Sequence, residues 1–363
     1  MLDTILRHLE ALVAFDTRNP PRQIGTGGIF DYLREHLPGF RIELTDHGAG
    51  AVALLATRGA PRQLFNVHLD TVPDSKQWSA DPLRLRVLDD RAIGLGACDI
   101  KGAAACLLAA AAQTQGDAAF LFTTDEEAND ARCINGFLRQ GHAFDAAIVA
   151  EPTRCEAVLA HRGISSVVMN FRGVAGHASA DNAATASAVH AAIRWGDRAL
   201  NLVDACANER FGGLRGLRFN IGRIEGGIKA NVIAPSAELR FGFRPLPSMS
   251  FDALHAQFRD LADDAALSYY GETFRGPPLP AGDIEEAEAA RLRARDLADE
   301  LGLPIGHAVD FWTEASLFSA AGMTALVYGP GDIAQAHTAD EYVLLEQLAS
   351  ASATYLRVLG GEA

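Results

Sequence analysis

Short apolar runs that stop at an acid or a histidine recur along this chain. Leu64 to Val67 leads into His68 and Asp70, Ala118 to Phe122 into Asp125-Glu126-Glu127, and Ala146 to Ala150 into Glu151, while Ala325 to Tyr328 precedes His337. The loop Gly94 to Cys98 delivers Asp99 in the same way. Up to about residue 160 these strand-like runs alternate with helix-like stretches, Gly27 to Leu37, Asp99 to Gln113 and Asp130 to Arg139, the order of an α/β sheet. In an open α/β sheet, ligands bind beyond the carboxyl ends of the strands, so residues as far apart as His68 and His337 can share one crevice.

The pattern then changes. Ile164 to Val174 reads as a strand, Ala183 to Leu202 as a helix, Leu217 to Ile224 and Ala237 to Arg244 as strands, Phe251 to Asp264 as a helix and Ala266 to Tyr270 as a strand. That β-α-β-β-α-β order predicts a ferredoxin-like α+β domain. Gly276 to Gly282 reads as a return linker, after which a helix over Ile284 to Leu301, a strand over Thr324 to Tyr328 and a final helix over Val343 to Leu359 complete the first domain. The predicted division is therefore 1–162 with 275–363, interrupted by an insertion at 163–274.

Composition narrows the class. Hydrophobic residues at 48% and charged residues at 21% describe an ordinary globular protein, and 363 residues suit two domains. A net charge of −14 with no basic stripe speaks against a nucleic-acid partner. The five cysteines include no Cys-x-x-Cys pair, so neither a disulfide framework nor a zinc ribbon is expected, and a reducing compartment fits. Asp3, Arg7, His8 and Glu10 interrupt the first apolar stretch, unlike a secretory signal, and the longest apolar run, Gly102 to Ala112, is too short to span a bilayer. The expectation is a cytoplasmic protein with no membrane partner.

The candidate chemistry sits at the strand ends. His68 and Asp70 are two apart, a spacing that lets the Asp70 carboxylate orient the imidazole while its other nitrogen binds a metal; an exposed polar couple is the plain alternative. Asp99 heads an Ala-rich helix and reads either as its N-cap or as a carboxylate bridging two cations. The acids after Thr124 either complement a helix dipole or divide the labour, Glu127 binding a cation and Glu126 taking a proton from the attacking water. Glu151 ends a strand at Pro152, and His337 follows the Gly329-Pro-Gly331 turn; alone, these read as a turn residue and a surface histidine.

Taken together, His68-Leu-Asp-Thr-Val-Pro73, Gly94-x-Gly-x-x-Asp-x-Lys-Gly102, Thr124-Asp-Glu-Glu127 and Glu151-Pro-Thr153 resemble the aminoacylase, acetylornithine deacetylase and succinyl-diaminopimelate desuccinylase family of dinuclear zinc hydrolases. The likeness continues through Gly176-His-Ala-Ser179, Lys229-Ala-Asn-Val-Ile233 and Phe243-Arg-Pro-Leu-Pro247, and Thr313-Glu-Ala315 with Ala336-His-Thr338 points toward the acetylornithine deacetylase branch. The resemblance implies a mixed-sheet α/β catalytic domain with an inserted lid and dimerisation domain. It implies two zinc ions per subunit, replaceable by cobalt, one held by His68 and Glu151, the other by Glu127 and His337, with Asp99 bridging. Glu126 would be the general base, Asp70 the partner of His68, and His177 an oxyanion group reaching across a homodimer.

The implied substrate is an N-acetyl-L-amino acid of arginine biosynthesis, N-acetyl-L-citrulline or N-acetyl-L-ornithine. Leu239, Phe241 and Phe243 alternate with Glu238, Arg240 and Arg244, which places both arginines on the solvated face of one strand; the motif match selects Arg244 for the substrate carboxylate and adds Asn231. Glu314 is the candidate contact to the substrate side chain. After Ser179 the family's usual Pro and Gly are replaced by Ala180-Asp-Asn-Ala-Ala184. A dipeptidase, carboxypeptidase or desuccinylase on the same scaffold is the alternative enzyme, and a non-catalytic binding protein the alternative of another class.

Overall fold

Four parallel strands, Ala118–Thr123, Gln63–His68, Ala146–Val149 and Thr324–Val327, lie side by side in that order in a computed structural model of the chain, which describes all residues but 22–23, 129 and 361–363. Val52–Arg58 and Arg41–Asp46 extend the sheet antiparallel to six strands. Ala118–Thr123 and Ala146–Val149 are buried throughout, which explains their unbroken apolar runs. Because the four parallel strands share a direction, the segments that leave them with Asp125, His68, Glu151 and Tyr328 emerge at one edge.

Helix Lys101–Ala111 is buried on every side. Its sequence is nearly all alanine, leucine and glycine, so neighbours approach it all round: it packs against Leu2–Ala14 and Leu345–Val358. Asp99 lies outside this helix, whose N-cap is Ile100 with no side-chain cap, so the capping alternative for Asp99 is not realised. A three-stranded sheet of Arg86–Leu88, Arg91–Ile93 and Tyr342–Leu344 flanks the segment. Residues 343–344, expected to open the final helix, belong instead to strand Tyr342–Leu344, which pairs with Arg91–Ile93, and the helix begins at Leu345.

The chain divides into two compact units. The first comprises Met1–Leu159, Ala290–His307 and Thr313–Ala363, and the second Ala160–Ala289 and Ala308–Trp312. The second holds an antiparallel sheet in the order Arg218–Gly226, Ser236–Arg244, Ile164–Arg172, Leu267–Gly276. Strict alternation in Ile164–Arg172 and Ser236–Arg244 sends Val167, Met169, Phe171, Leu239, Phe241 and Phe243 to one face, where helices Ala188–Ala205 and Phe251–Asp260 cover them. Trp195 is completely buried there and its Nε1 donates to the Phe258 carbonyl at 2.7 Å. The helix expected over 183–202 breaks at Ser187, whose hydroxyl accepts the His190 amide at 3.4 Å and caps a new helix. Strand Leu267–Gly276 runs six residues past the expected end at Tyr270.

Arg162, with no exposed surface, opens the second unit. Its guanidinium donates to Asp310 Oδ1 at 2.5 Å and to the carbonyls of Gly216 at 2.6 Å and Arg215 at 2.7 Å. Among the described residues, no helix is long and apolar enough to cross a membrane.

Candidate metal centre

Two triads of ligand-type side chains share Asp99 at the carboxyl edge of the parallel strands. His68, Asp99 and Glu151 form one, and Asp99, Glu127 and His337 the other; within each, one donor atom per residue lies within 4.8 Å of the rest. His68 Nε2 is 3.0 Å from Asp99 Oδ1 and 3.8 Å from Glu151 Oε1. His337 Nε2 is 3.1 Å from Glu127 Oε1 and 3.4 Å from Asp99 Oδ2. One oxygen of Asp99 thus serves each triad, the division that a bridging carboxylate requires.

The electrostatics describe a cluster that demands positive charge. Burial alone would hold the His68 imidazole neutral, but Asp70 and Asp99 outweigh it and raise the group well above its ordinary value. Hydrogen bonds to Asp99 and Glu127 push His337 up to about 11. Burial drives Glu151 well above the usual carboxylate range, with the Asp99 charge adding to it. Three carboxylates and two imidazoles at this spacing fit a pair of divalent cations, whose charge would hold the acids ionised and the imidazoles deprotonated.

Glu126 belongs to neither triad. Burial pushes it up to about 8, opposed by His68 and reinforced by Glu127 and Asp99. Of the three consecutive acids, Asp125 alone takes the helix-capping part: its Oδ2 accepts the Cys133 amide at 2.9 Å, at the start of helix Arg132–Arg139. The dipole reading therefore holds for Asp125 and not for its two neighbours.

Asp70 meets His68 first through its backbone. His68 Nδ1 meets the Asp70 backbone carbonyl at 3.0 Å, whereas the nearest carboxylate oxygen, Oδ1, is 3.6 Å away, beyond hydrogen-bond reach. Strand Gln63–His68 ends at the histidine, so the two-residue periodicity no longer applies at Asp70. Its Oδ2 instead accepts the Glu127 amide at 3.1 Å and the Asn19 side-chain amide at 3.0 Å. Asn19, 1% exposed, also donates to the Thr124 carbonyl at 3.3 Å and so ties the acid-bearing loop to Asp70.

Glu314, expected to face a substrate, is 2% exposed. Thr123 Oγ1 donates to its Oε2 at 3.3 Å, and the Asn66 amide nitrogen, oriented to satisfy its surroundings, lies 3.2 Å from the same oxygen. Glu314 accordingly meets, from within, the strand that ends at His68 and the strand that leads into the acid-bearing loop.

Three expected substrate-handling residues belong to the second unit. His177 and Asn231 are exposed neighbours: His177 pairs with Val232 in an isolated bridge, the Ala178 amide donates to the Asn231 carbonyl at 3.2 Å, and His177 Nδ1 is 2.7 Å from Ser179 Oγ. Arg244 lies, with Arg218 and Arg240, in a groove of about 600 Å³ on the uncovered face of the antiparallel sheet. Arg240 pairs with Glu238 and Arg218 with Asp310, whereas the Arg244 guanidinium has no ion-pair partner among the described residues.

Three further residues hold the centre without a sequence signal. Asn19 sits in an unremarkable Asn-Pro-Pro turn. Lys101, fully buried, donates to the Phe15 carbonyl at 3.0 Å, and burial lowers its ammonium to about 7. Glu341 accepts amides of the loop that delivers Asp99. Only Lys101 lay inside a recognisable motif, and nothing in that motif marks it as buried.

Residues 64–360 match a family described as Peptidase family M20/M25/M40. The chain is 66% identical over 362 residues to an N-acetyl-L-citrulline deacetylase of Xanthomonas campestris pv. campestris, covering 99% of both proteins. It is 28% identical to an acetylornithine deacetylase of Vibrio vulnificus, covering 94% of this chain and 93% of that protein. Its fold is that of the crystal structure of aminopeptidase PepT from Bacillus cereus, with a TM-score of 0.76 at 18% identity over 99% of this chain and 98% of the other. The chain is a member of peptidase family M20/M25/M40, a family of metal-dependent amide hydrolases.

Proposed function

We propose that this protein removes the acetyl group from N-acetyl-L-citrulline, releasing acetate and the free amino acid for arginine biosynthesis. The observation that carries the reading is the pair of triads joined through Asp99, with the carboxylate of Glu126 beside them and committed to neither. The likeness to the Xanthomonas deacetylase supports the choice of substrate, because it extends over essentially the whole chain.

His68, Glu151, Glu127 and His337, with Asp99 between them, would hold two divalent ions, for which zinc is the proposed metal and cobalt the substitute. Bound there, the ions supply Lewis acidity, lowering the pKa of a water and polarising the acyl oxygen. Glu126 takes the proton of the attacking water and delivers it to the leaving nitrogen, so that the amine departs neutral. Asp70 holds the Glu127 amide and, through Asn19, the Thr124 carbonyl, which keeps the loop bearing Glu126 in place.

The unpaired guanidinium of Arg244 would take the substrate α-carboxylate, with Asn231 adding an amide contact and His177 donating to the oxyanion. The second unit would then act as the lid and as the contact of a cytoplasmic homodimer. A side-by-side rate comparison of N-acetyl-L-citrulline, N-acetyl-L-ornithine and dipeptides on the zinc-loaded enzyme tests the assignment. Citrulline release at the highest kcat/KM is expected. Faster cleavage of the ornithine derivative would replace the substrate, and faster cleavage of dipeptides would replace the reaction class.

A further inference from the structure

The loop that presents Asp99 is held by one buried side chain that belongs to neither triad. Glu341 is 1% exposed, and its carboxylate accepts three amides of this loop: Gly96 on Oε2 at 3.1 Å, and Cys98 and Asp99 on Oε1, each at 2.9 Å. Its backbone carbonyl accepts a fourth, from Gly94, at 3.0 Å. Strand Tyr342–Leu344 begins at the next residue and pairs Tyr342 with Ile93, so the register of this small sheet delivers Glu341 beneath the turn that follows Ile93. The turn suits the purpose. Gly96 has φ +78°, and a Cβ there would come within 2.7 Å of Thr71 Cγ2, so only glycine lets this backbone close on the carboxylate.

Burying a carboxylate is costly unless its charge is met. Here three amide donors meet it directly. Such an arrangement exceeds what loop closure alone needs, since a neutral acceptor would satisfy one or two amides. What the third amide adds is the position of Asp99 itself: the residue whose two oxygens must face two different triads has its own backbone nitrogen clamped. The same segment carries His337 four residues earlier, so one stretch supplies a ligand to the second triad and sets the backbone of the shared one.

The structure assigns Glu341 as the positioning residue of the metal centre: through the hydrogen bonds it accepts from three backbone amides it fixes Asp99 so that one carboxylate oxygen faces each triad. This inference rests on the metal-centre reading above. Glu341 belongs to neither triad, so its removal is expected to act on metal affinity and on kcat at full metal loading and to leave KM alone. Groups of this kind, one step removed from the ligands, typically change metal affinity about 10- to 100-fold.

The test is zinc titration by equilibrium dialysis on the full chain and on Glu341→Gln. The amide matches the carboxylate in shape but turns one acceptor into a donor facing an N–H, so the loop loses at least one bond. Wild-type protein is expected to bind two zinc ions per chain. Glu341→Gln is expected to bind both about 10- to 100-fold more weakly, to lose kcat at saturating zinc, and to keep KM. Two zinc ions bound with wild-type affinity by the variant would overturn the assignment. Failure of the wild type itself to bind zinc would instead overturn the metal-centre reading. Should the variant not fold, hydrogen exchange of the wild-type backbone decides: protected Cys98 and Asp99 amides support the clamp, and exchange at the rate of an open loop overturns it.

Discussion

The two units bury their interiors by opposite means. In the second, the sheet face is closed by Trp195, Phe241, Phe243 and Phe258, whose rings lie 4.8 to 6.3 Å apart, and the buried indole nitrogen has its acceptor. In the first, the strands end in a buried collection of acids, imidazoles and amides in which Asn19 Oδ1, Asp70 Oδ1, Thr71 Oγ1, Asp125 Oδ1 and Glu314 Oε1 have no hydrogen-bond partner. Among the described residues, Ser248 Oγ is the one such atom in the second unit. An apolar interior gains stability from nearly every contact it makes. The strand-end cluster gives some of that up to hold charge in a fixed place.

Three substitutions separate these two economies. The largest effect is expected at Glu126→Gln, which should lower kcat by about a hundred- to ten-thousand-fold while zinc content and thermal midpoint hold. Metal analysis beside steady-state rates checks it, and wild-type turnover in that variant would remove the proposed base. Next in size, Phe258→Ala should cost about 3–5 kcal/mol of stability through the cavity it opens in the aromatic core, read by denaturant unfolding, with zinc affinity unchanged. A parallel loss of zinc affinity would show that the two interiors are not separable in this way.

The smallest effect concerns acid. Burial alone would raise the Asp310 carboxyl, but the hydrogen bond from buried Arg162 outweighs it, with Arg218 adding, and holds the group below its ordinary value of 3.8. A carboxyl depressed in the folded state stabilises the protein above the unfolded value, and that contribution is lost as pH falls through the folded value. Asp310→Asn should therefore be less stable than wild type at neutral pH and show a shallower decline of stability below about pH 4. Equal acid slopes for the two proteins, measured by denaturant unfolding across that range, would assign Asp310 no part in it.

Most of the architecture is legible in the sequence. Alternation of Leu239, Phe241 and Phe243 with Glu238, Arg240 and Arg244 identified the covered face of the strand that carries them, because a half-buried strand can hardly be written otherwise. Where reading failed, a local signal was too short or changed its meaning. Ser187 sits inside a helix-like run and acts as a cap, and Val343 and Leu344 read as helical because a strand of three residues cannot display a period. The ligand candidates His68, Asp99, Glu127, Glu151 and His337 were legible through their motifs and strand-end positions, and the structure draws all five together. The contact of His68 Nδ1 with the Asp70 backbone carbonyl, the carboxylate standing 3.6 Å away, was not legible, since the strand ends at His68.

From residue order alone come the α/β and α+β character of the two parts, the apolar strands and the chemistry at their ends, because these depend on periodicity and on residue type. Which groups support that chemistry was settled by the folded chain. Asn19, Lys101 and Glu341 act through contacts with residues 51, 86 and 242 positions away, and Glu314 reaches across 191. A buried acceptor is defined by the amides it meets, and no pattern in a linear string records which distant amides those will be.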